Sequence, residues 1–215
     1  MDASFWHKCW ERNSLGFHQE EIHPFLIKTM SELIQPNDRH VFVPLCGKSL
    51  DMVWLAEHLE VTGAELSEIA CRDFFKDKSI EFQQHRSGDF QRYSFENLTL
   101  WQGDFFTLAN EKLPSFDWVY DRAALIALPV EMQQQYVDHL LSFMADNTRL
   151  LLISLEFPVE EMSGPPFPIF IADIEKLFTN CKIECIATRE LPDKRFAQRT
   201  FNVSSLVERG YLITK

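Results

Sequence analysis

The sequence lacks long apolar runs, a secretory signal and an ordered set of cysteines. No apolar run approaches the roughly 18 residues that span a bilayer. The chain also opens without the basic start and apolar stretch of a signal peptide. The five cysteines are odd in number and show no CxxC spacing, so neither a disulfide framework nor a zinc site is indicated. We therefore expect a cytoplasmic protein with reduced thiols and without a bound metal.

Positive charge is scarce as well. The 21 Lys and Arg residues are outnumbered by 32 Asp and Glu residues, form no long basic block and leave a net charge of −11. Such a field repels nucleic-acid phosphates and anionic membrane surfaces. We therefore expect a small-molecule partner, with neither nucleic acid nor a membrane as a partner.

Short apolar segments alternate with helix-patterned segments along the 215 residues, a length that suits one domain. The segments with strand character are residues 40–45, 61–66, 98–101, 116–120, 150–155, 182–189 and 204–214. The segments with helical character are residues 4–12, 19–34, 50–59, 68–78, 129–145 and 171–180. Residues 79–97 are polar and irregular, which predicts a surface excursion. The alternation predicts an α/β fold with a parallel or mixed sheet, in which the last two strands pair antiparallel at one edge.

Residues 40–67 follow the order of a nucleotide-binding unit. A strand ends at a turn that contains Gly47, a helix follows, and the next strand ends at Glu65, 18 residues after Gly47. In doubly wound folds a carboxylate at that strand end binds ribose hydroxyls, and the turn before the helix holds the charged part of a cofactor. Asp104 and the pair Asp121 and Arg122 follow later strands and extend the same cleft. The pattern predicts an adenosine-containing cofactor.

The scarcity of glycine in this turn narrows the identity of the cofactor. Residues 47–49 match the end of a P-loop, but that motif needs a glycine five positions before Gly47, where Phe42 stands. NAD binding needs GxGxxG, and Pro44 and Leu45 occupy positions where other glycines are required. S-adenosylmethionine contains no phosphate and makes less demand on glycine, so it fits the turn better.

Several separate segments together resemble one family. They are residues 6–10 (WHKCW), 16–19 (GFHQ), 44–49 (PLCGKS), 63–67 (GAELS), 121–125 (DRAAL) and 164–167 (GPPF). In this order they resemble the signature segments of the thiopurine S-methyltransferase family, and most closely those of its bacterial branch. The resemblance runs from about residue 5 to the C-terminus.

That resemblance implies a set of site residues. For binding the cofactor it implies Trp10, Leu45, Gly47, Glu65, Asp104, Phe105 and Arg122. Within this set, Trp10 covers the cofactor and Asp104 and Phe105 face its adenine. Arg122 lies between cofactor and substrate and is the predicted catalytic residue.

A second arginine on the substrate side is implied near the C-terminus, where Arg195 and Arg199 are both candidates. The histidines form no metal-like cluster, so the sequence assigns them no role.

The resemblance also implies the fold and the reaction. The expected fold is a class I S-adenosylmethionine-dependent methyltransferase, one domain over residues 1–215, in which residues 1–35 form a helical cover over the cofactor. Its doubly wound, mostly parallel sheet is expected to have seven strands, one of them an antiparallel edge strand. The implied reaction methylates the sulfur of aromatic or heterocyclic thiols such as thiopurines, with selenium and tellurium compounds as further acceptors.

Two other interpretations stay open from the sequence. One is a module that binds S-adenosylmethionine or a nucleotide without chemistry, and the other is an NAD-dependent dehydrogenase. In each case we expect a monomer.

Overall fold

The structure, a computed structural model, describes residues 3–215 and is built around one nine-stranded sheet. The strands of this sheet are β1 (His40–Val43), β2 (Glu60–Glu65), β3 (Gln83–Ser87), β4 (Phe90–Phe95), β5 (Leu98–Gln102), β6 (Phe116–Arg122), β7 (Met144–Glu156), β8 (Lys182–Glu190) and β11 (Val207–Thr214). Between β8 and β11, a separate two-stranded ribbon is made of β9 (Arg195–Phe196) and β10 (Arg199–Thr200). The helices are α1 (Ala3–Glu11), α2 (Pro24–Leu33), α3 (Asp51–Ala56), α4 (Glu68–Lys76), α5 (Val130–Ser142) and α6 (Ile171–Leu177).

The strand order is β3-β4-β5-β2-β1-β6-β7-β11-β8. Strands β5, β2, β1, β6 and β7 run parallel to one another. The chain first builds outward from β1 through β2 to β5, and then returns to β6 on the other side of β1. This order confirms the predicted doubly wound α/β fold, and it places the point where the winding reverses between β1 and β6.

The prediction that the last two strands pair antiparallel at one edge is confirmed, because β8 and β11 do so. The expectation that the antiparallel strand is itself the edge strand is wrong. Strand β11 pairs antiparallel with both β7 and β8, so it lies one position inside the edge. The physical reason is burial, because β11 contributes the buried side chains Tyr211 and Ile213 whereas most of β8 remains accessible. The more apolar strand takes the inner position.

The predicted count of seven strands is also corrected. Residues 79–97 were expected to be irregular, but they form the antiparallel hairpin β3–β4 at the other edge of the sheet. Ser87 pairs with Phe90 across a two-residue turn made of Gly88 and Asp89, and a Gly-Asp pair at such a turn is a hairpin signal. Strand β3 is exposed and polar throughout, so it contains no apolar run from which a strand could be predicted.

Helix α2 begins later than the acidic residues before it suggested. Pro24 occupies the first turn, where its missing N–H costs nothing, and His23 caps the helix by accepting the N–H of Phe25 at its Nδ1. The ring of His23 is fully buried, and its Nε2 lies 2.9 Å from the carboxylate of Glu208 on β11. These contacts fix the start of α2 on the sheet.

Helices cover both faces of the sheet because the buried side chains of its central strands alternate in direction. On β1, Phe42 joins the cluster that contains Tyr136 of α5 and Ile174 of α6. Its neighbour Val41 joins the cluster on the opposite face, with Met30 of α2 among its members. Strands buried on both sides carry continuous apolar sequences, as observed here.

Candidate functional site

A pocket of about 390 Å³ opens at the carboxyl ends of β1, β2 and β6. It lies where the winding of the sheet reverses, the usual position of a ligand in an open α/β sheet. Its walls come from four sources: the turns after these strands, helix α1 with residues 14–18, the loop at Pro165 and Pro166, and the segment around the β9–β10 ribbon.

The turn after β1 is held by its backbone rather than by several glycines. Leu45 and Gly47 both have positive φ angles, 47° and 55°. The N–H of Cys46 donates to the carbonyl of Ala64 on β2 at 2.9 Å, which ties the turn to the neighbouring strand. Gly47 is needed at its position, because a Cβ there would lie 3.3 Å from the ring of Trp10.

Glu65 connects two turns that border the pocket. One of its carboxylate oxygens accepts the N–H of Gly47 at 2.8 Å, and the other accepts the N–H of Ser67 at 2.7 Å. Burial raises the pKa of Glu65 to about 6, and the hydrogen bonds from Ser67 and Gly47 oppose that rise. Each carboxylate oxygen can accept a further hydrogen bond, so the group can still bind hydroxyl groups of a ligand.

Arg122 lines the pocket and is anchored by a buried ion pair. Its Nε donates to Asp51 at 2.7 Å and its Nη2 donates to the hydroxyl of Ser49 at 3.0 Å. The side chains of Arg122 and Asp51 are only 7% and 2% exposed. Asp51 also accepts the hydroxyl of Tyr120 at 2.9 Å and the backbone N–H of His23 at 2.8 Å. These contacts fix the guanidinium plane.

The remaining nitrogen of Arg122 has no partner. Its Nη1 is buried and forms no hydrogen bond with any atom of residues 3–215. A buried unpaired donor on a charged group is costly, and this nitrogen belongs to a side chain that lines the pocket.

Aromatic rings form one wall of the pocket. Trp6 and Trp10, one turn apart on α1, both make edge-to-face contacts with Phe17, at ring-centroid distances of 5.8 and 5.7 Å. Trp10 is buried and lies against Gly47. This wall suits the flat apolar face of an aromatic or heterocyclic ligand.

Of the two candidate arginines near the C-terminus, only Arg199 lines the pocket. Its Nη1 donates to the carbonyl of Pro165 at 3.0 Å, and its guanidinium lies 5.2 Å from the centre of the Phe201 ring. Arg195 is exposed and donates to the carbonyl of Ala197 within the same ribbon.

The structure gathers five of the seven predicted cofactor residues around the pocket, and they are Trp10, Leu45, Gly47, Glu65 and Arg122. The other two, Asp104 and Phe105, are not among its lining residues. Asp104 accepts the N–H of Phe106 at 3.0 Å, which caps a short 3-10 turn. The ring of Phe105 is buried against Phe42 and Tyr136, so a contact with adenine would have to use its backbone.

Sequence reasoning gave no role to several residues that the structure places here, among them His18, Ser49 and Asp51. Asp51 carried a usable signal, because it is an acid within an otherwise apolar helix face. His18 belongs to one of the segments that resembles the family. Ser49 carried no signal of its own, since a serine in a turn is ordinary.

No helix within residues 3–215 is long and apolar enough to cross a membrane. No group of three or more His, Cys, Asp or Glu residues converges there in a way that could hold a metal ion.

Comparison with known proteins gives one consistent result. The family model described as thiopurine S-methyltransferase matches residues 1–215. The thiopurine S-methyltransferase of Shewanella baltica is 41% identical over 219 aligned residues that cover all of both chains. Among solved structures, a SAM-dependent methyltransferase from Anabaena variabilis superposes with a TM-score of 0.67 at 15% identity, covering 99% of this chain and 94% of the other.

A second solved structure contains a ligand. It is the 1,6-didemethyltoxoflavin-N1-methyltransferase of Burkholderia thailandensis, with 1,6-didemethyltoxoflavin and S-adenosylhomocysteine bound. It superposes with a TM-score of 0.65 at 12% identity, covering 99% of this chain and 87% of the other. At such identities the likeness concerns the fold, and it confirms the predicted methyltransferase fold.

Proposed function

The chain belongs to the thiopurine S-methyltransferase family, and from that premise we propose that it transfers the methyl group of S-adenosylmethionine to the sulfur of aromatic or heterocyclic thiols. Thiopurines are the first substrates to test. Selenium and tellurium compounds form a second proposed class, because their anions are also soft nucleophiles. The observation that carries the proposal is the link from Glu65 to the N–H of Gly47, which puts a carboxylate and a tight turn at the edge of one pocket.

The residues around the pocket fit the parts of this cofactor. S-adenosylmethionine supplies, when bound, a methyl group on a positively charged sulfur. Glu65 would accept the ribose hydroxyls, and Leu45 and Gly47 would border the methionine part. Trp10 lies over Gly47 and would cover that part of the cofactor. Arg122 would lie between cofactor and acceptor, and its unpaired Nη1 would be a donor for either of them.

Methyl transfer to a soft anion asks little of the protein beyond position. A thiolate supplies its own reactivity, so the chain must align the two reacting atoms and exclude water. Such positioning contributes about 7–11 kcal/mol in favourable cases. The aromatic wall would hold the ring of the acceptor, and Arg122 and Arg199 would stabilise its negative charge.

The N-terminal segment supports the proposed cover over the cofactor in part. Helix α1 and residues 14–18 line the pocket, whereas α2 packs in the core and lies outside the lining. We therefore limit the proposed cover to the residues before α2; residues 1 and 2, which were predicted to belong to it, lie outside the described part of the chain. The monomeric state stays a prediction.

The two alternative functions make different predictions. A binding module without chemistry would bind the cofactor but release no methylated product from a labelled methyl donor and a thiopurine. A dehydrogenase would bind NADH, and the turn after β1 lacks the glycines for its pyrophosphate. A methyl-transfer assay over thiols, selenite and tellurite therefore tests the proposal directly.

S-adenosylhomocysteine is expected to stabilise the protein against heat, because a ligand that binds only the native state shifts the folding equilibrium. At 100 times its dissociation constant the gain is about 2.7 kcal/mol. NADH and ATP at the same concentration should leave the melting temperature unchanged. Stabilisation by NADH without stabilisation by S-adenosylhomocysteine would refute the proposed cofactor.

The substitution Gly47→Ala is expected to weaken S-adenosylhomocysteine binding as well as stability. A left-handed backbone costs a non-glycine residue about 1–2 kcal/mol, and the new Cβ would press on Trp10. Gly88→Ala is the matched control, since Gly88 has a φ of 62° and its Cβ would approach only the Lys112 amine at 3.5 Å. Both variants should lose stability in denaturant titrations, and only Gly47→Ala should lose affinity for the ligand.

A further inference from the structure

His18 is a pocket residue whose side chain has no hydrogen-bond partner among residues 3–215. It lies in the segment between α1 and α2 and is partly buried. Its backbone is fixed, because its N–H donates to the carbonyl of Leu15 at 2.8 Å. Its ring nitrogens form no hydrogen bond with any other residue of the described range 3–215. An imidazole held in this way can exchange a proton with a molecule in the pocket.

The charged groups that face His18 are mostly positive. They are Lys48 in the turn after β1, Arg122 at the end of β6, and Lys78 and Asp77 just after α4. Asp77 is already paired with Lys48, at 2.7 Å. Burial lowers the pKa of His18, and the three cations lower it further, opposed only by Asp77. The imidazole is therefore unprotonated at neutral pH and has a free lone pair.

We propose that His18 is the proton acceptor for acceptor thiols that are still protonated at neutral pH. The inference rests on the proposed function, because it assigns a step within the same pocket. It also divides the substrates into two classes: thiols that arrive as thiolates need no acceptor, and thiols with a higher pKa depend on His18.

The step balances as follows. The thiol proton moves to the free ring nitrogen of His18, and the sulfur electron pair forms a bond to the methyl carbon. The bond between that carbon and the sulfonium sulfur breaks, and its electron pair stays on that sulfur, which leaves a thioether and S-adenosylhomocysteine. The imidazolium then passes its proton to water. The cations around His18 favour this release, and Arg122 stabilises the thiolate while it exists.

The test compares, in His18→Gln, two thiols that both carry an aromatic ring. 4-Nitrothiophenol is ionised at neutral pH, whereas phenylmethanethiol is protonated. The reactions are single turnovers at saturating S-adenosylmethionine. With phenylmethanethiol, the rate constant of the variant should be about 100-fold lower than that of the native protein, a typical contribution of general-base catalysis. It should stay close to the native rate with 4-nitrothiophenol. His85→Gln on the exposed strand β3 is the matched control and should stay near native with both thiols.

The pH profile gives a second measurement. For the native protein, the rate with phenylmethanethiol should level off at the pH where His18 is fully unprotonated. In His18→Gln the rate should instead keep rising with pH, because it follows the small ionised fraction of the thiol. Equal losses with both thiols, in His18→Gln and in His18→Asn, would overturn the role of His18 and indicate a purely structural residue. Failure of the native protein to methylate either thiol or a thiopurine would instead refute the proposed function.

Discussion

Arg122→Ala is expected to lower both the rate of thiol methylation and the stability of the fold. The substitution leaves the carboxylate of Asp51 buried without its cation, and removal of one partner of a buried pair costs about 3–5 kcal/mol. It also removes the donor at Nη1 and a positive charge from the wall of the pocket where we propose that the acceptor binds. Arg122→Lys keeps the charge but loses the planar group that contacts Asp51 and Ser49 together, so it should be intermediate.

A second arginine separates these two effects. Arg149 pairs with Asp38 at the start of the sheet and stacks on Trp118, away from the pocket. Arg149→Ala should therefore lose stability in denaturant titrations but keep the native turnover of its folded fraction. Arg122→Ala should lose both, and anionic acceptors should be affected more than neutral thiols of similar size. Native-like turnover in folded Arg122→Ala would contradict its placement at the acceptor.

Glu65→Gln is expected to weaken S-adenosylhomocysteine binding by about 10- to 150-fold. Hydrogen bonds to a charged group contribute about 1.5–3 kcal/mol, and 1.4 kcal/mol corresponds to a factor of ten. The amide also brings an NH₂ group against one of the two backbone donors, Gly47 or Ser67. Isothermal titration at pH 7 measures the change. An unchanged affinity would reduce Glu65 to a residue that only joins the two turns.

We also expect the binding of S-adenosylhomocysteine to depend on pH through Glu65. The pKa of Glu65 is raised to about 6, so the native state holds this proton more tightly than the unfolded chain does. Its contribution to stability therefore falls as the pH rises from the ordinary value of 4.5 through 6. The ribose hydroxyls prefer the ionised acceptor, so the affinity for S-adenosylhomocysteine should increase over this interval.

Two variants check the origin of that dependence. Glu65→Gln should flatten the profile because it has no group to titrate. Asp121→Asn should keep the profile, although burial also raises the pKa of Asp121 to about 6, because Asp121 bonds Tyr136 and Leu125 and does not line the pocket. A profile that flattens with Asp121→Asn and persists with Glu65→Gln would show that Asp121, and not Glu65, is the carboxyl that titrates.

The parts of the site that depend on chain order were predictable from the sequence. Alternating strands and helices determine where parallel strands end, and those ends bring Gly47, Glu65 and Arg122 to one edge. The partner of Arg122 was not predictable, because Asp51 is 71 residues away and only the packing of α3 brings the two together. The choice between Arg195 and Arg199 likewise depends on a short ribbon, which has too few residues to show a periodic pattern.

The fold shows the same division. Buried parallel strands were found from their apolar runs, but the hairpin β3–β4 was missed because its outer strand is polar. The position of β11 between β7 and β8 was not predictable, because it follows from how deeply β11 and β8 are buried relative to each other. The local sequence of either strand does not contain that information.

Asp51 has a consequence for how two parts of the fold depend on each other. One oxygen of this carboxylate holds Arg122, and the other holds the backbone of His23, where α2 begins. The start of α2 and the charged wall of the pocket therefore share one anchor. A substitution at Asp51 would release both at once, so the packing of α2 and the orientation of Arg122 are not independent of each other.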